Sequence, residues 1–235
     1  MKKEDVTLNC YNIIGDIHGR TCWKELVKDE CINIFVGDYL DPYEPVPLKE
    51  LIHNFVDIIS YKQAHPQTVL LYGNHDLPYL SSCDSNSRYD AAHAEQIKPF
   101  FLETVHLFAG VAYAIGDKAL VTHAGVSKEW YEKEFGSYEG AKPTEVADDI
   151  NGLWKHNKVE FSFDANVSSK YDLSGESPTH SPLWIRPWGL KGHDLFAGTS
   201  YIQIFGHSQV NDIIIDDNLV CVDCLGSVVK SFQIQ

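Results

Sequence analysis

The sequence predicts an α/β protein in which two packed sheets carry helices on their outer faces. Two observations predict it. Residues 8–72 alternate short β-branched runs with helical patterns, a β-α-β-α-β order that builds a sheet core with covering helices. The C-terminal part is instead strand-rich, with runs at Tyr201–Phe205, Asp212–Ile215, Asn218–Cys224 and Ser227–Ile234. A second sheet packed on the first accommodates both halves.

Leu8–Ile14 reads as a strand ending at Gly15, and Cys22–Lys28 as a short helix. Ile32–Val36 is short, apolar and β-branched and stops at Gly37, the pattern of a buried strand. From Leu48 to Gln63 the residues Leu48, Leu51, Ile52, Phe55, Ile58 and Ile59 recur at three- and four-residue steps, and Pro47 suits the start of such a helix. Thr68–Tyr72 is another buried strand, stopped by Gly73. Residues 77–95, rich in Ser, Asp and Asn, read as a loop, and Ala91–Leu102 as a helix interrupted by Pro99. His106–Ile115 and Lys118–Thr122 form an expected antiparallel pair turning at Gly116-Asp117. Ser127–Phe135 and Thr144–Trp154 read as helices. Residues 156–180 are polar and irregular, a lid or surface loop.

The length, 235 residues, fits a single domain over 1–235, with 77–95 and 156–180 as its lid or loop segments. No stretch is long enough to span a membrane, and MKKEDVTLNC lacks the apolar core of a signal peptide. Six cysteines are sparse for this length and fit reduced thiols, hence a cytoplasmic location. Cys221-x-x-Cys224 lies in an apolar, strand-like run and reads as packing rather than as a zinc or redox motif. A formal net charge of −14 argues against a nucleic-acid partner, because such affinity comes from phosphate neutralisation by Lys and Arg. It suits a site that gathers cations. The only arginines are Arg20, Arg88 and Arg186.

The polar residues that follow the strands repeat a pattern. Gly15-Asp16-Ile17-His18-Gly19 follows the first strand, Gly37-Asp38-Tyr39-Leu40-Asp41 the second and Gly73-Asn74-His75-Asp76 the third. His123-Ala124-Gly125 follows the strand at 118–122, and Gly206-His207-Ser208 the strand at 201–205. Sites in open α/β sheets form at the carboxyl ends of strands, where glycine lets the backbone approach a ligand. A single His or Gly-Asp at a strand end is most often structural; five such ends together read as a metal site. Mixed carboxylate, amide and imidazole donors suit Mn, Fe or Zn better than an all-oxygen Ca or Mg site. Asp16-x-His18 places two donors on one side of an extended segment. One carboxylate can bridge two cations, and two cations about 3.5–4 Å apart clamp a displacement at phosphorus. The histidines at 53, 65, 93, 106, 156, 180 and 193 lack this context and carry no assignment.

Taken in order, GDIHG, GDYLD, GNHD, THAG and FGHS resemble the motifs of the calcineurin-like metallophosphoesterases, over residues 15–208. More narrowly, they resemble the phosphoprotein phosphatase (serine/threonine protein phosphatase) branch and its bacterial relatives. The resemblance implies the metallo-dependent phosphatase fold, a four-layer α/β/β/α sandwich of two mixed sheets. It implies two divalent transition-metal ions, Mn first, with Fe or Zn as alternatives. Asp16, His18 and His207 would hold one metal, Asp38 would bridge both, and Asn74 and His123 would complete the second. His75 matches the family's general acid, and Asp41 the carboxylate that orients it. The implied reaction is in-line attack on phosphorus by a hydroxide shared between the metals, without a phosphoenzyme. The implied partner is a phosphorylated substrate, a phosphoprotein or small phosphoester, with neither nucleic acid nor membrane.

The chain departs from the family in its second motif, usually GDxxDRG, whose Arg grips phosphate oxygens bidentately. Here Asp41 is followed by Pro42-Tyr43, and proline donates no hydrogen bond. Arg186, in PLWIRP, resembles the Trp-x-Arg segment of bacterial relatives and is the first choice for a substitute clamp. Arg20, directly after GDIHG, and Arg88, in the loop after GNHD, are the others. GNHDLPYL and HAGVSKEW also resemble the diadenosine tetraphosphatase branch, so a dinucleoside tetraphosphate hydrolase is the alternative activity. A non-catalytic binding scaffold is the alternative of another class; it would be expected to have lost a ligand or the acid, and this chain keeps all of them.

Overall fold

The computed structural model describes residues 10–81, 88–166, 172 and 174–235. Residues 8 and 9 of the first expected strand, 82–87 (with Cys83) of the expected loop 77–95, and 167–171 and 173 of the segment 156–180 lie outside the described residues. The strands are β1 (Tyr11–Ile14), β2 (Ile32–Phe35), β3 (Val69–Leu70), β4 (Ala112–Ile115), β5 (Ala119–Thr122), β6 (Ile202–Phe205), β7 (Ile214–Asp216), β8 (Leu219–Cys221) and β9 (Phe232–Ile234). The helices are α1 (Trp23–Leu26), α2 (Leu48–Ala64), α3 (Leu77–Leu80), α4 (Ala94–Thr104), α5 (Lys128–Phe135), α6 (Pro143–His156) and α7 (Pro187–Leu190).

The strands form two mixed sheets. One has the order β3-β2-β1-β9, with β1, β2 and β3 parallel and β9 antiparallel at the edge. The other has the order β4-β5-β6-β8-β7, with β5, β6 and β8 parallel and antiparallel strands at both edges. Register decides which side chains share a face. Ile13, Ile34 and Val69 are successive partners and turn toward the second sheet, where Val121, Ile204 and Val220 meet them. Ile14, Phe35 and Leu70, one residue on, turn the other way onto Leu51, Phe55 and Ile58 of α2. Each such buried side chain contributes about 1.5–3 kcal/mol. On the far face of the second sheet, Leu120 joins the cluster that holds Trp130 of α5 and Val146 and Ile150 of α6. The layers are therefore helix, sheet, sheet, helix, as the motifs imply.

The longer helices match their sequence pattern. α2 starts after Pro47 and buries Leu51, Phe55, Ile58 and Ile59. The Ser127 hydroxyl caps α5 by accepting the Trp130 N–H at 3.1 Å.

Several elements differ from expectation. The helix expected over Cys22–Lys28 is a single turn, Trp23–Leu26. The expected loop 77–95 opens with a helical turn, Leu77–Leu80, because Leu77, Pro78 and Tyr79 are buried and Pro78 sits in its first turn. Pro99 does not interrupt its helix: α4 runs through it, with the ring exposed and Ala94, Ile97 and Phe101 buried on the opposite side. The strand expected from His106 starts only at Ala112, since residues Val105–Leu107 form a 3-10 turn. The strand expected over Asn218–Cys224 covers only Leu219–Cys221. α7 was not expected at all.

Cys10 and Cys31 form a disulfide, against the expectation of reduced thiols. They precede Tyr11 and Ile32, which are register partners in β1 and β2, so the parallel pairing sets them side by side. Cys221 and Cys224 are buried and free. Burial pushes the Cys221 thiol up to about 12, and it donates to the Ser208 carbonyl, as expected of a packed cysteine. No helix among the described residues is long and apolar enough to cross a membrane.

Candidate metal centre

The five motif-bearing strand ends meet along one edge of the sandwich. The Gly206 N–H donates to the His123 carbonyl at 2.7 Å, and the His207 N–H donates to Asp16 Oδ2 at 3.0 Å, tying the second sheet to the first. The His18 N–H donates to the Asp38 carbonyl at 2.6 Å. Close approach explains the glycines. A Cβ on Gly73 would stand 2.1 Å from Asp38 Oδ1, and one on Gly206 would stand 2.0 Å from Asp16 Oδ1. The turns are also strained. Among the described residues, four of the five non-glycine residues with positive φ are His18, Asp38, Asp41 and His207, at 45°, 55°, 53° and 65°. Such backbone costs of order 1–3 kcal/mol per residue and gathers where geometry serves a function.

The hydrogen bonds fix the ring tautomers. His18 Nδ1–H donates to the Leu40 and Asp41 carbonyls, at 3.0 and 3.1 Å, which leaves Nε2 as a lone pair 3.3 Å from Asp38 Oδ2. His123 Nδ1–H donates to the Val36 carbonyl, so its Nε2 faces Asp38 Oδ2 at 3.4 Å and Asn74 Oδ1 at 2.9 Å. His207 Nδ1 lies 3.0 Å from the same Asn74 oxygen, and its Nε2 is buried without a hydrogen-bond partner among the described residues. Ring nitrogens held by a carbonyl on one side and aimed at oxygens on the other are the usual form of imidazole metal ligands.

Asp16, Asp38 and His123 bring one ligand atom each within 4.8 Å of one another, all buried. The sequence analysis did not single out Asp223, which is fully buried beside them. Its oxygens meet no N–H or O–H donor among the described residues other than the Asp16 carboxyl, which can donate only when protonated. Burial and the Asp223 charge push the Asp16 carboxyl up. Burial works against a charged His123, yet the Asp38 and Asp16 carboxylates lift the imidazole to about 10. Burial drops His18 to about 3 despite Asp38. Three carboxyl groups buried among three imidazoles are a costly arrangement without a cation. The donor set therefore fits divalent metals of the borderline kind.

The grouping differs in one respect from what the motifs imply. His207 was expected beside Asp16 and His18. It stands instead with Asn74 and His123, whose ring lies edge-on to its own at 5.2 Å. The reason is topological: β6, which delivers His207, is hydrogen-bonded to β5, which delivers His123. Asp38 lies against both His18 and His123, and Asp16 reaches Asp38 and His123 as well as the His207 N–H.

His75 sits at the mouth of the site. Its Nδ1–H donates to Asp41 Oδ2 at 2.9 Å, and the Tyr79 hydroxyl donates to Asp41 Oδ1 at 2.5 Å. Arg88 donates to His75 Nε2 at 3.0 Å and, through Nε, to the Asp41 carbonyl at 3.1 Å. Arg186 reaches the turn that holds His207, with Nη1 3.3 Å from Ser208 Oγ and 3.4 Å from the His207 carbonyl. Tyr43, Arg88, Arg186 and His207 line one cleft of about 610 Å³, whose lining also includes Trp188, Val210 and Ile214. Arg20 differs from the other two: its Nη1 donates to the Asp16 and Ile17 carbonyls, at 3.3 and 3.4 Å, bracing the turn that holds Asp16.

The sequence profile of the calcineurin-like phosphoesterases matches residues 12–211, most of the chain and all of these strand ends. The chain belongs to that family. Its class is accordingly that of a phosphoric ester hydrolase. In fold, this phosphoesterase is similar to a solved protein serine/threonine phosphatase from Saccharomyces cerevisiae with similarity to human phosphatase PP5. The TM-score is 0.57 at 14% identity, over 93% of this chain and 68% of that one. No curated protein sequence matches the chain at a significant level.

In this phosphoesterase Asp76 also has a role that the motif GNHD carried unassigned. Its carboxylate accepts the N–H groups of Asp38, Tyr39 and Gly73, at 2.9, 3.1 and 2.8 Å, and so locks the second strand end to the third. The unassigned histidines lie elsewhere in structural pairs, His93 with Asp90 and His180 with Asp172, both at 2.8 Å.

Proposed function

We propose that the chain is a dinuclear-metal phosphomonoesterase of the serine/threonine-phosphatase kind. The observation that carries the reading is the convergence of six metal-capable side chains, a carboxylate-oriented histidine in contact with Arg88, and Arg186 against the turn that holds His207. Asp16 and His18 would hold one metal, Asn74, His123 and His207 the other, and Asp38 both. Bound there, the metals would neutralise phosphate charge and activate the attacking water.

The chain's own groups have the remaining tasks. Arg88 and Arg186, which line the same cleft, bind the phosphate oxygens and orient the ester for in-line attack. Asp41 holds the His75 ring through Nδ1, so that Nε2 faces the leaving group. His75 gives the Nε2 proton to the departing alkoxide, which leaves as an alcohol. Manganese is the first choice of metal, with iron or zinc as alternatives. The single domain over 1–235 belongs to this reading. The cytoplasmic location belongs to it as well, with the Cys10–Cys31 pairing as a departure from the reduced thiols it was argued on.

A second substrate reading has a specific observation in its favour. Trp188, 72% exposed, stands on the cleft wall, where an indole ring could stack a nucleobase. Phosphopeptides and diadenosine tetraphosphate assayed side by side with Mn separate the two. Faster turnover of phosphopeptides is the expected result; faster turnover of the dinucleotide would replace the phosphomonoesterase reading. Metal bound with neither substrate turned over would favour the scaffold.

A further inference from the structure

Pro42 leaves an opening where the family's arginine would stand, and the residue beside it takes up an unusual set of contacts. Arg88 lies flat over the Tyr43 ring, Cζ 3.8 Å from the centroid, and Arg20 approaches the same ring at 5.4 Å. The ring also meets the His18 imidazole edge-on, at 4.8 Å. One aromatic ring thus lies beside two of the three arginines and a candidate metal ligand. Its backbone is restricted: Asp41 turns the chain with φ 53°, and Pro42 and Pro45 bracket the position.

We infer that Tyr43 is a positioning residue whose ring holds Arg88 at the metal centre, the pair replacing the phosphate-gripping arginine that Pro42 removes. The inference rests on the phosphomonoesterase reading above. Arg88 is anchored at three points: the Tyr43 face, the Asp41 carbonyl through Nε, and the ring nitrogens of His75 and His18, 3.0 and 3.4 Å from Nη2. The first two orient the guanidinium. The third is the exchangeable one. A neutral imidazole nitrogen is a weaker partner for guanidinium than a phosphate oxygen, whose bond is charge-assisted on both sides. When phosphate arrives, Nη2 shifts from His75 Nε2 to a phosphate oxygen while the ring and the carbonyl keep the fork in place. Replacing a missing arginine thus requires no new charge in the second motif, only an aromatic platform there for an arginine from a later loop.

The test compares wild type with Tyr43→Phe, Tyr43→Ala, Arg88→Ala and Tyr43→Ala/Arg88→Ala, all Mn-loaded. Calorimetry gives the Kd for inorganic phosphate, steady-state assays give KM and kcat for p-nitrophenyl phosphate, and metal content is read in parallel. Tyr43→Phe keeps the ring face and is expected within about twofold of wild type in phosphate Kd. Tyr43→Ala is expected to weaken phosphate binding about tenfold and to raise KM similarly, at unchanged metal content. The double variant is expected to bind no more weakly than Arg88→Ala, because the ring acts through the guanidinium. An unchanged Kd in Tyr43→Ala, additive losses in the double variant, or metal lost from Tyr43→Ala would each overturn the inference while leaving the phosphomonoesterase reading intact. Wild type that binds no phosphate would overturn both.

Discussion

Asp41 Oδ2 stands 2.9 Å from His75 Nδ1, while the other Asp41 oxygen takes the Tyr79 hydroxyl at 2.5 Å. The carboxylate is held on one side so that it can hold the imidazole on the other. The pairing leads to a graded expectation. His75→Asn lowers kcat for p-nitrophenyl phosphate by about 10²–10⁴-fold at unchanged metal content, the usual worth of a general acid. Tyr79→Phe removes one bond to the orienting carboxylate and costs less, about tenfold or under. Metal analysis beside kinetics checks both; metal lost from His75→Asn would make that residue a ligand instead.

Gly73 and Gly206 give a steric prediction. An added Cβ would lie 2.1 Å from Asp38 Oδ1 at the first position and 2.0 Å from Asp16 Oδ1 at the second. Gly206→Ala and Gly73→Ala are therefore expected to fold but to lose metal affinity by about tenfold or more, as when support of a ligand is disturbed. Manganese titration of each variant, with circular dichroism as a check on folding, reads the effect.

Arg186 lines the same cleft as Arg88, its Nε held by the Ser174 carbonyl at 2.8 Å. Its loss removes charged hydrogen bonds to phosphate, worth about 1.5–3 kcal/mol, and Arg186→Ala is expected to raise KM for phosphomonoesters about tenfold or more. Steady-state kinetics checks this. An unchanged KM would leave the grip to Arg88.

Cys10 and Cys31 close a loop with a sequence separation of 21. Bridges of that span stabilise by about 2–4 kcal/mol. Cys31→Ser is expected to lower the denaturation midpoint by a corresponding amount, and wild-type Cys10 and Cys31 should resist alkylation until a reductant is added. Peptide mapping under non-reducing conditions reads the second point; two readily alkylated thiols there would restore the view that all the cysteines are reduced.

Much of the frame was legible because burial writes a period into the sequence. α2 could be read from Leu51, Phe55, Ile58 and Ile59, and β2 from an apolar run stopped by Gly37. Four-residue helices such as α3 and α7 contain about one turn and leave no period to find. The donors at the strand ends were legible for the same reason as the strands. The meeting of the His207 ring with His123 and Asn74 was not, because it depends on β6 lying beside β5 rather than on order in the chain. Asp223 follows β8 without the flanking glycine that marked the other strand ends, so no local signal set it apart. The contacts of Arg88 with Tyr43, and of Cys10 with Cys31, are long-range meetings that register and loop course decide.

The central claim is that this cleft binds two metals and hydrolyses a phosphomonoester with them. The most direct measurement strips the protein with a chelator, reloads it separately with Mn, Fe, Zn, Co or Ni, and follows metal per chain together with p-nitrophenyl phosphate turnover. The account predicts two metals per chain, turnover that vanishes on stripping and returns on reloading with Mn, and loss of both metal and turnover in Asp38→Ala. Turnover with none of the five metals, or full turnover by the stripped protein or by Asp38→Ala, would contradict it.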